Sequence, residues 1–364
     1  MKNVVLLAYS FFPDKSVAAL RPSYWSTQLI HSGFKVTVVT SSKLVEPQKI
    51  DNHPNYKRIE ITSKKSSRNY LISDQGLQWG NAIKKEFLPL CKTVDLLIIT
   101  GGPFLQMSLA KIFKKQFNSK VILDFRDPFS NNPRFNDSVI KLTTKRFLEW
   151  RFCLRADHVI TVNQITAKLL ACTPSKISII DNGFDETIVN EILSYPKTKS
   201  DQTKIIHTGK FYENASPKNL IDAIESIDNV LFENYGNMFE EHNSSLKHCK
   251  FNDFVDYRSA LRAVHDSDIG IVFTTGEAFL STTKIFDYIG MKKKILIITN
   301  GFIRTGNIHE ITKGNPNVEW CTNNQKEIKL AIKNLIAREY IDTKTQHLSR
   351  GYGFIKLLNI IQAL

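Results

Sequence analysis

Short runs of branched apolar residues alternate with longer amphipathic stretches along the whole chain. Runs at 3–9 (NVVLLAY), 35–41 (KVTVVTS), 56–62 (YKRIEIT), 95–101 (DLLIITG), 120–126 (KVILDFR), 158–163 (HVITVN) and 177–183 (ISIIDNG) predict strands. Between them, 19–32, 77–88, 105–117 and 139–155 carry the three- and four-residue spacing of helices. This alternation predicts a parallel sheet covered by helices on both faces. A polar stretch at 195–203 (YPKTKSDQT) reads as a linker. A second alternation follows, with strands at 203–209, 230–236, 268–274 and 294–300 and helices at 217–226, 257–267 and 283–290. The segment 325–364 reads as helical with a break near 349–353.

A chain of 364 residues suits two domains of roughly 150–200 residues each. The expected fold class is α/β, as two doubly wound Rossmann-like domains. The first is expected at 1–190, joined by the C-terminal helix at about 345–364, and the second at 200–340. Open α/β sheets bind ligands beyond the carboxyl ends of their strands, so the expected site is a cleft across which the two domains face each other.

Composition narrows the function classes. No apolar run reaches the ~18–20 residues of a membrane span. The N-terminus reads as a first strand and not as a signal peptide, which makes a cytoplasmic location the expectation. The five cysteines are odd in number and include no CxxC pair, so neither a disulfide framework nor a zinc site is expected. The nine histidines form no HxxxH or HExxH, and no metal is expected. The net charge is +14, and residues 1–186 hold 27 Lys and Arg against 15 Asp and Glu, with 22 against 20 beyond. That basic first half suits either a solvated surface or an anionic partner such as lipid headgroups.

Five segments could carry chemistry. In 277–288 (EAFLSTTKIFDY), Ser281, Thr282 and Thr283 supply cap chemistry for a helix beginning near Thr283. A helix start offers free amides and partial positive charge to a phosphate. Lys284 in that first turn opposes the helix dipole unless an anion sits there, and Asp287 lies one turn along the same face, where it could accept from ribose hydroxyls. In 207–217 (HTGKFYENASP), Gly209 permits close backbone approach and Lys210 follows the strand. In 123–129 (LDFRDPF), Asp124 and Asp127 flank Arg126, either as an acid/base pair or as a salt-bridged turn. The turn 100–104 (TGGPF) would leave amides available, and the DxD of 265–268 (HDSD) reads as a turn and not a metal site. GxGxxG and GxxxxGK[ST] are absent, which removes the dehydrogenase and P-loop readings.

Taken in order, these segments resemble the GT-B glycosyltransferases, closest to the large retaining family 4. The likeness spans nearly the whole chain: the opening AYSFFPDKSVAALRPSYWSTQLIHSGFKVTVVTS, then IITGGPF, LDFRDPF, ADHVITVN, ISIIDNGFD, IIHTGKFYENASPKNLIDAI, DIGIVF and STTKIFDYIGMKKKIL. The resemblance implies that Lys284 and Lys210 grip the diphosphate of a nucleotide-sugar donor. It implies that Asp287, where the family usually has Glu, binds the ribose, and that Gly209, Ser281, Thr282 and Thr283 lie near the phosphates. Phe279 stands where the family often carries a Glu on the donor sugar, and Glu277 lies two residues before it. SVAALR at 16–21 replaces the family's Gly-Gly loop. Asp127 matches a strand-end position near sugar and acceptor, with Arg21, Gly102 and Arg126 on the acceptor side. Residues near 233–237 and 252–255 are expected to border the base pocket.

The implied activity is transfer of a sugar from a nucleotide diphosphate to an acceptor hydroxyl with retention, in cell-surface polysaccharide or glycolipid synthesis. Stabilising the departing diphosphate is the main task, and cations with a helix start perform it without metal or other cofactor. The basic surplus, including Lys64, Lys65, Arg68, Lys114, Lys115, Lys141, Lys145 and Arg146, would hold a glycan or lipid-linked acceptor at the anionic inner face of the cytoplasmic membrane. Three rival readings stand beside it: a GT-B sugar-nucleotide epimerase, an inactive GT-B protein, and a basic nucleic-acid-binding protein. The last has no recognisable module or aromatic platform behind it, so nucleic acid is not an expected partner.

Overall fold

The computed structural model describes residues 2–364 apart from 45–48, 65–70, 212–215 and 237–245. The chain forms two compact units, Met1–Asp181 with Gly353–Leu364, and Asn182–Tyr352.

The first unit is built on seven parallel strands: β1 (Asn3–Leu7), β2 (Lys35–Thr40), β3 (Tyr56–Glu60), β4 (Leu96–Thr100), β5 (Lys120–Phe125), β6 (His158–Thr161) and β7 (Ile177–Ile179). They lie in the order β3-β2-β1-β4-β5-β6-β7. Helices α1 (Val17–His31), α2 (Gly76–Glu86), α3 (Ala110–Phe117), α4 (Val139–Arg155) and α5 (Gln164–Leu169) connect them. The two-residue period of the strands sorts the core into two layers. Val5, Leu7, Leu97, Ile99, Val121 and Leu123 pack with Trp79, Ile83, Phe113 and Phe152. Val4, Leu6, Val36, Val38, Ile98 and Ile122 pack with Trp25, Leu29, Phe354 and Leu357 on the other face.

The second unit repeats the plan with β8 (Thr203–Thr208), β9 (Val230–Tyr235), β10 (Cys249–Asn252), β11 (Ile269–Thr274), β12 (Lys294–Thr299) and β13 (Val318–Thr322). The order is β10-β9-β8-β11-β12-β13. Its helices are α6 (Glu186–Leu193), α7 (Lys218–Ile224), α8 (Tyr257–His265), α9 (Thr283–Gly290), α10 (Gly306–Thr312) and α11 (Gln325–Ala337), and α12 (Arg350–Ala363) carries the chain back to the first unit. The polar stretch at 195–203 is a loop inside this unit. The helix before it, α6, belongs here because Val189 and Ile192 pack with Leu261, Val264 and Ile285.

In each sheet the strand order reverses once, between β1 and β4 and between β8 and β11. Ligand sites of open α/β sheets form beyond the carboxyl ends of strands at such reversals. Among the described residues no helix is long and apolar enough to cross a membrane.

Candidate functional site

At the reversal in the second sheet, β8 ends in His207 and Thr208, and Gly209 follows it. Gly209 holds φ +104°, and a methyl group there would lie 3.1 Å from both Cε and Nζ of Lys284. The next loop comes equally close: a methyl on Gly236 would overlap the Gly209 carbonyl. Two strand-end loops without side chains therefore meet beneath one ammonium group.

Lys284 is partly buried, and its Nζ lies 2.9 Å from His207 Nε2. His207 is 1% exposed and stacks on Phe211, with ring centroids 4.2 Å apart. Its Nδ1 lies 2.8 Å from Asn234 Oδ1, and Asn234 Nδ2 donates to the Gly236 carbonyl at 2.8 Å. Burial lowers the Lys284 pKa from 10.5 to about 8. Burial, then the neighbouring Lys284, holds His207 well below its ordinary 6.5. Lys210, expected beside Lys284, directly follows Gly209 and is exposed.

Helix α9 begins at Thr283, as its sequence predicts, with Thr282 in the extended N-cap position (φ −75°, ψ 135°). The expected cap chemistry is not made, because Thr282 forms no side-chain cap hydrogen bond. Helices α4, α5, α6, α8 and α11 start on a side chain that accepts from a first-turn amide, whereas α1, α2, α3, α7 and α10, like α9, make no such bond. Ser281 Oγ is buried without a hydrogen-bond partner among the described residues, and the Ser281 carbonyl accepts from Asn182 Nδ2 at 3.2 Å. An uncapped helix start beside an ammonium and a glycine turn is a set of donors directed at an anion.

Asp287 lies one turn further on and is 8% exposed. Tyr257 Oη donates to Asp287 Oδ1 at 2.6 Å, and Arg350 stacks over the Tyr257 ring at 5.3 Å. Arg350 also pairs with Asp185 at 3.6 Å. Burial raises the Asp287 pKa from 3.8 to about 6 against the pull of Arg350 and the Tyr257 hydrogen bond. Glu277 is partly exposed and accepts a hydrogen bond from Thr275 Oγ1, whereas Phe279 is buried.

In the first unit Arg21, Asp124 and Arg126 are engaged within the fold. Arg21 is 4% exposed, pairs with Asp124 at 3.1 Å and donates to the Ile180 carbonyl at 2.8 Å. Asp124 also accepts from Thr100 Oγ1 at 2.9 Å. Arg126 donates to the Ala18 and Gly101 carbonyls at 2.7 and 2.8 Å. The salt bridge expected within 123–129 therefore forms with Arg21 from α1. Asp127 is exposed. In the TGGPF turn Gly102 is exposed with φ +68°, but neighbouring amides are not available as expected: Gly101 N donates to the Asp124 carbonyl, and Phe104 and Leu105 N donate to Asp74.

In the HDSD segment His265 ends α8 and 266–268 turn into β11, as expected for Asp268. Asp268 pairs with Lys197 at 2.5 Å and Asp266 accepts from Thr198 N at 2.9 Å. Lys65 and Arg68, residues 212–215 of the HTGK segment and Asn237 at the expected base pocket lie outside the described residues. Asn234 and Gly236 lie in the stretch expected at the base pocket but come together with His207 and Gly209 instead, and sequence reasoning missed His207, Tyr257 and Arg350. Of these only His207 carried a signal, standing near the end of a strand.

No family model matches this chain, and no curated protein sequence matches it. Solved structures do. Sucrose-phosphate synthase from Thermosynechococcus elongatus is 12% identical, with 100% of this chain and 99% of that chain covered and a TM-score of 0.70. WaaG, a glycosyltransferase involved in lipopolysaccharide biosynthesis, is 13% identical, with 98% and 99% covered and a TM-score of 0.63. The UDP-GlcNAc 2-epimerase of Methanocaldococcus jannaschii, solved with UDP-GlcNAc and UDP, is 13% identical, with 100% of both chains covered and a TM-score of 0.56. With its two parallel-sheet Rossmann-like units, this chain has the fold of the GT-B proteins.

Proposed function

We propose that the protein is a glycosyltransferase that moves a sugar, with retention, from a nucleoside diphosphate sugar to an acceptor hydroxyl. The observation that carries this reading is Lys284 Nζ held over Gly209 beside the uncapped start of α9. In such a reaction the sugar–phosphate bond breaks as positive charge grows at the anomeric carbon. The negative charge gathers on the leaving diphosphate, where Lys284, Lys210 and the first-turn amides of α9 would stabilise it. The cations come from the chain itself, so the reading needs no metal or other cofactor. Ser281, Thr282 and Thr283 would approach the phosphates, Glu277 the donor sugar and Asp287 the ribose.

On the first unit, Asp127 and Gly102 are assigned to the acceptor. Arg21 and Arg126 serve it by fixing the strand-end loops. The basic first half supports an acceptor that is glycan or lipid-linked, presented at the anionic inner face of the cytoplasmic membrane for polysaccharide or glycolipid synthesis. WaaG, among the structural neighbours, acts in lipopolysaccharide biosynthesis.

Thermal-shift screening against uridine and guanosine diphosphates and their sugars tests the donor side. A ligand at a hundred times its Kd adds about 2.7 kcal/mol of stability. The Lys284→Ala variant is expected to lose that shift, and its turnover is expected to fall at least tenfold with the fold intact, as for Lys210→Ala. Ligand-independent melting of the wild type across the whole panel would overturn the reading.

A second reading, a sugar-nucleotide epimerase, is favoured by the 2-epimerases among the structural neighbours. Acceptor-dependent release of the nucleoside diphosphate separates the two, since an epimerase reaction consumes no acceptor.

A further inference from the structure

Helix α4 carries two apolar faces. Phe152 and Cys153 point into the first unit's core. On the opposite side Val139, Ile140, Phe147, Trp150 and Leu154 are between 48% and 76% exposed. With Thr143, these positions fall within an arc of about 100° at 3.6 residues per turn, the width of a face that normally packs against something. Phe135, just before the helix, is also exposed. Isolated exposed apolar residues are ordinary on soluble proteins, but a continuous stripe with an indole and a phenyl ring is not.

The charge around the stripe identifies what it fits. Arg146 borders one edge and Arg151 and Arg155 the other, and the Arg151 guanidinium stacks over Phe147 at 5.5 Å. The one acid on the helix, Glu149, is turned inward, where it accepts hydrogen bonds from Phe129 N, Ser130 N, Ser130 Oγ and Ala171 N. The edges of the stripe are thus cationic. Several lysines that composition alone assigned to an anionic surface are already engaged: Lys141 and Lys145 both pair with Asp137, and Lys114 with Asp157.

We infer that the outer face of α4 is a docking surface for an anionic lipid bilayer, lying in the headgroup plane with Phe147, Trp150 and Leu154 inserted and Arg146, Arg151 and Arg155 on the headgroups. An apolar arc that contains a Trp and is bordered by guanidinium groups is the pattern of a helix lying in a membrane interface. A protein partner of ordinary polarity would leave the three Arg at the edges without matching charge. This inference deepens the membrane part of the reading above and rests on that reading only for what the surface is used for. The experiment needs neither donor nor acceptor, so its failure would leave the transfer reaction untouched.

Full-length protein is mixed with phosphatidylglycerol–phosphatidylcholine vesicles and with pure phosphatidylcholine vesicles, and binding is read by flotation. Wild type is expected to float with the anionic vesicles and to be at least tenfold weaker on neutral ones. The variants Phe147→Ser/Trp150→Ser/Leu154→Ser and Arg146→Gln/Arg151→Gln are each expected to weaken partitioning at least tenfold. Both alter side chains outside the core, and unchanged circular dichroism and melting temperature verify that they fold. Trp150 emission, obtained by difference from Trp150→Phe, is expected to shift to the blue on anionic vesicles. Anionic binding that the triple variant retains would overturn the inference. A concentration-dependent dimer in sedimentation velocity that the triple variant abolishes would overturn it too, and would give the face to a second copy of the chain.

Discussion

Lys284 Nζ lies 2.9 Å from His207 Nε2, and this contact settles which way the imidazole carries its proton. Asn234 Nδ2 is engaged with the Gly236 carbonyl, so its oxygen faces His207 Nδ1. An amide oxygen can only accept, so Nδ1 holds the proton and Nε2 presents a lone pair to the ammonium. Burial keeps the ring neutral, which the arrangement requires. Asn234 and His207 thus form a buried chain ending on the cation assigned to the diphosphate.

Breaking that chain is expected to loosen the cation without removing it. His207→Phe keeps the stack on Phe211 but removes the acceptor for Lys284. Pyrophosphate affinity, measured by calorimetry, is expected to fall several-fold. Asn234→Ala leaves the buried Nδ1–H without its partner and is expected to cost about 1–3 kcal/mol of stability by urea unfolding. Wild-type pyrophosphate affinity in both variants would show that the chain does not position Lys284.

The Lys284 ammonium titrates near 8, so anion binding is expected to weaken as pH rises through that value. The sign follows from the charge: the protonated amine attracts the diphosphate and the neutral amine does not. Nucleoside diphosphate affinity measured from pH 7 to 9.5 is expected to decline above 8 in the wild type. Lys284→Arg, whose guanidinium stays charged throughout, is expected to flatten the profile even if its affinity is lower.

Asp287 supplies a stability signature. Its carboxyl is raised from 3.8 to about 6 in the folded chain, so the folded state holds this proton more tightly than the unfolded state does. The contribution is fully present below about 3.8 and is lost as pH rises through about 6. On the order of 2–3 kcal/mol is involved. Asp287→Asn cannot titrate, and its stability relative to the wild type is expected to improve by that amount between pH 4 and 7. Parallel curves for the two proteins would contradict the buried environment of this group.

Arg21 pairs with the buried Asp124 carboxylate, which also accepts from Thr100 Oγ1. Arg21→Ala removes that buried ion-pair partner and is expected to destabilise the protein by about 3–5 kcal/mol in urea unfolding. A variant that keeps its stability but loses acceptor affinity would instead assign Arg21 a direct contact.

Legibility in the sequence followed burial. Strands buried on both faces, such as Leu96–Thr100 and Lys294–Thr299, stand out as continuous apolar runs and were predicted. The strands Cys249–Asn252 and Val318–Thr322 lie at the two edges of the second sheet and are mostly half-exposed, so CKFN and VEWCT show no such run and were not predicted. In α4 the inward and outward apolar stripes overlap in sequence, and the periodicity that predicts a helix does not reveal that one stripe is left in solvent.

What the sequence determined by itself was the alternation of elements, hence the parallel α/β class, and the start of α9 with its early lysine. These are local properties, set by side-chain period and by the amides a helix start leaves open. Which charges are spent inside the fold was decided only in three dimensions. Lys284 and His207 are 77 residues apart, and Arg21 and Asp124 likewise come from distant elements. They meet because strand order brings distant strand ends side by side, and a one-dimensional pattern contains no record of that order.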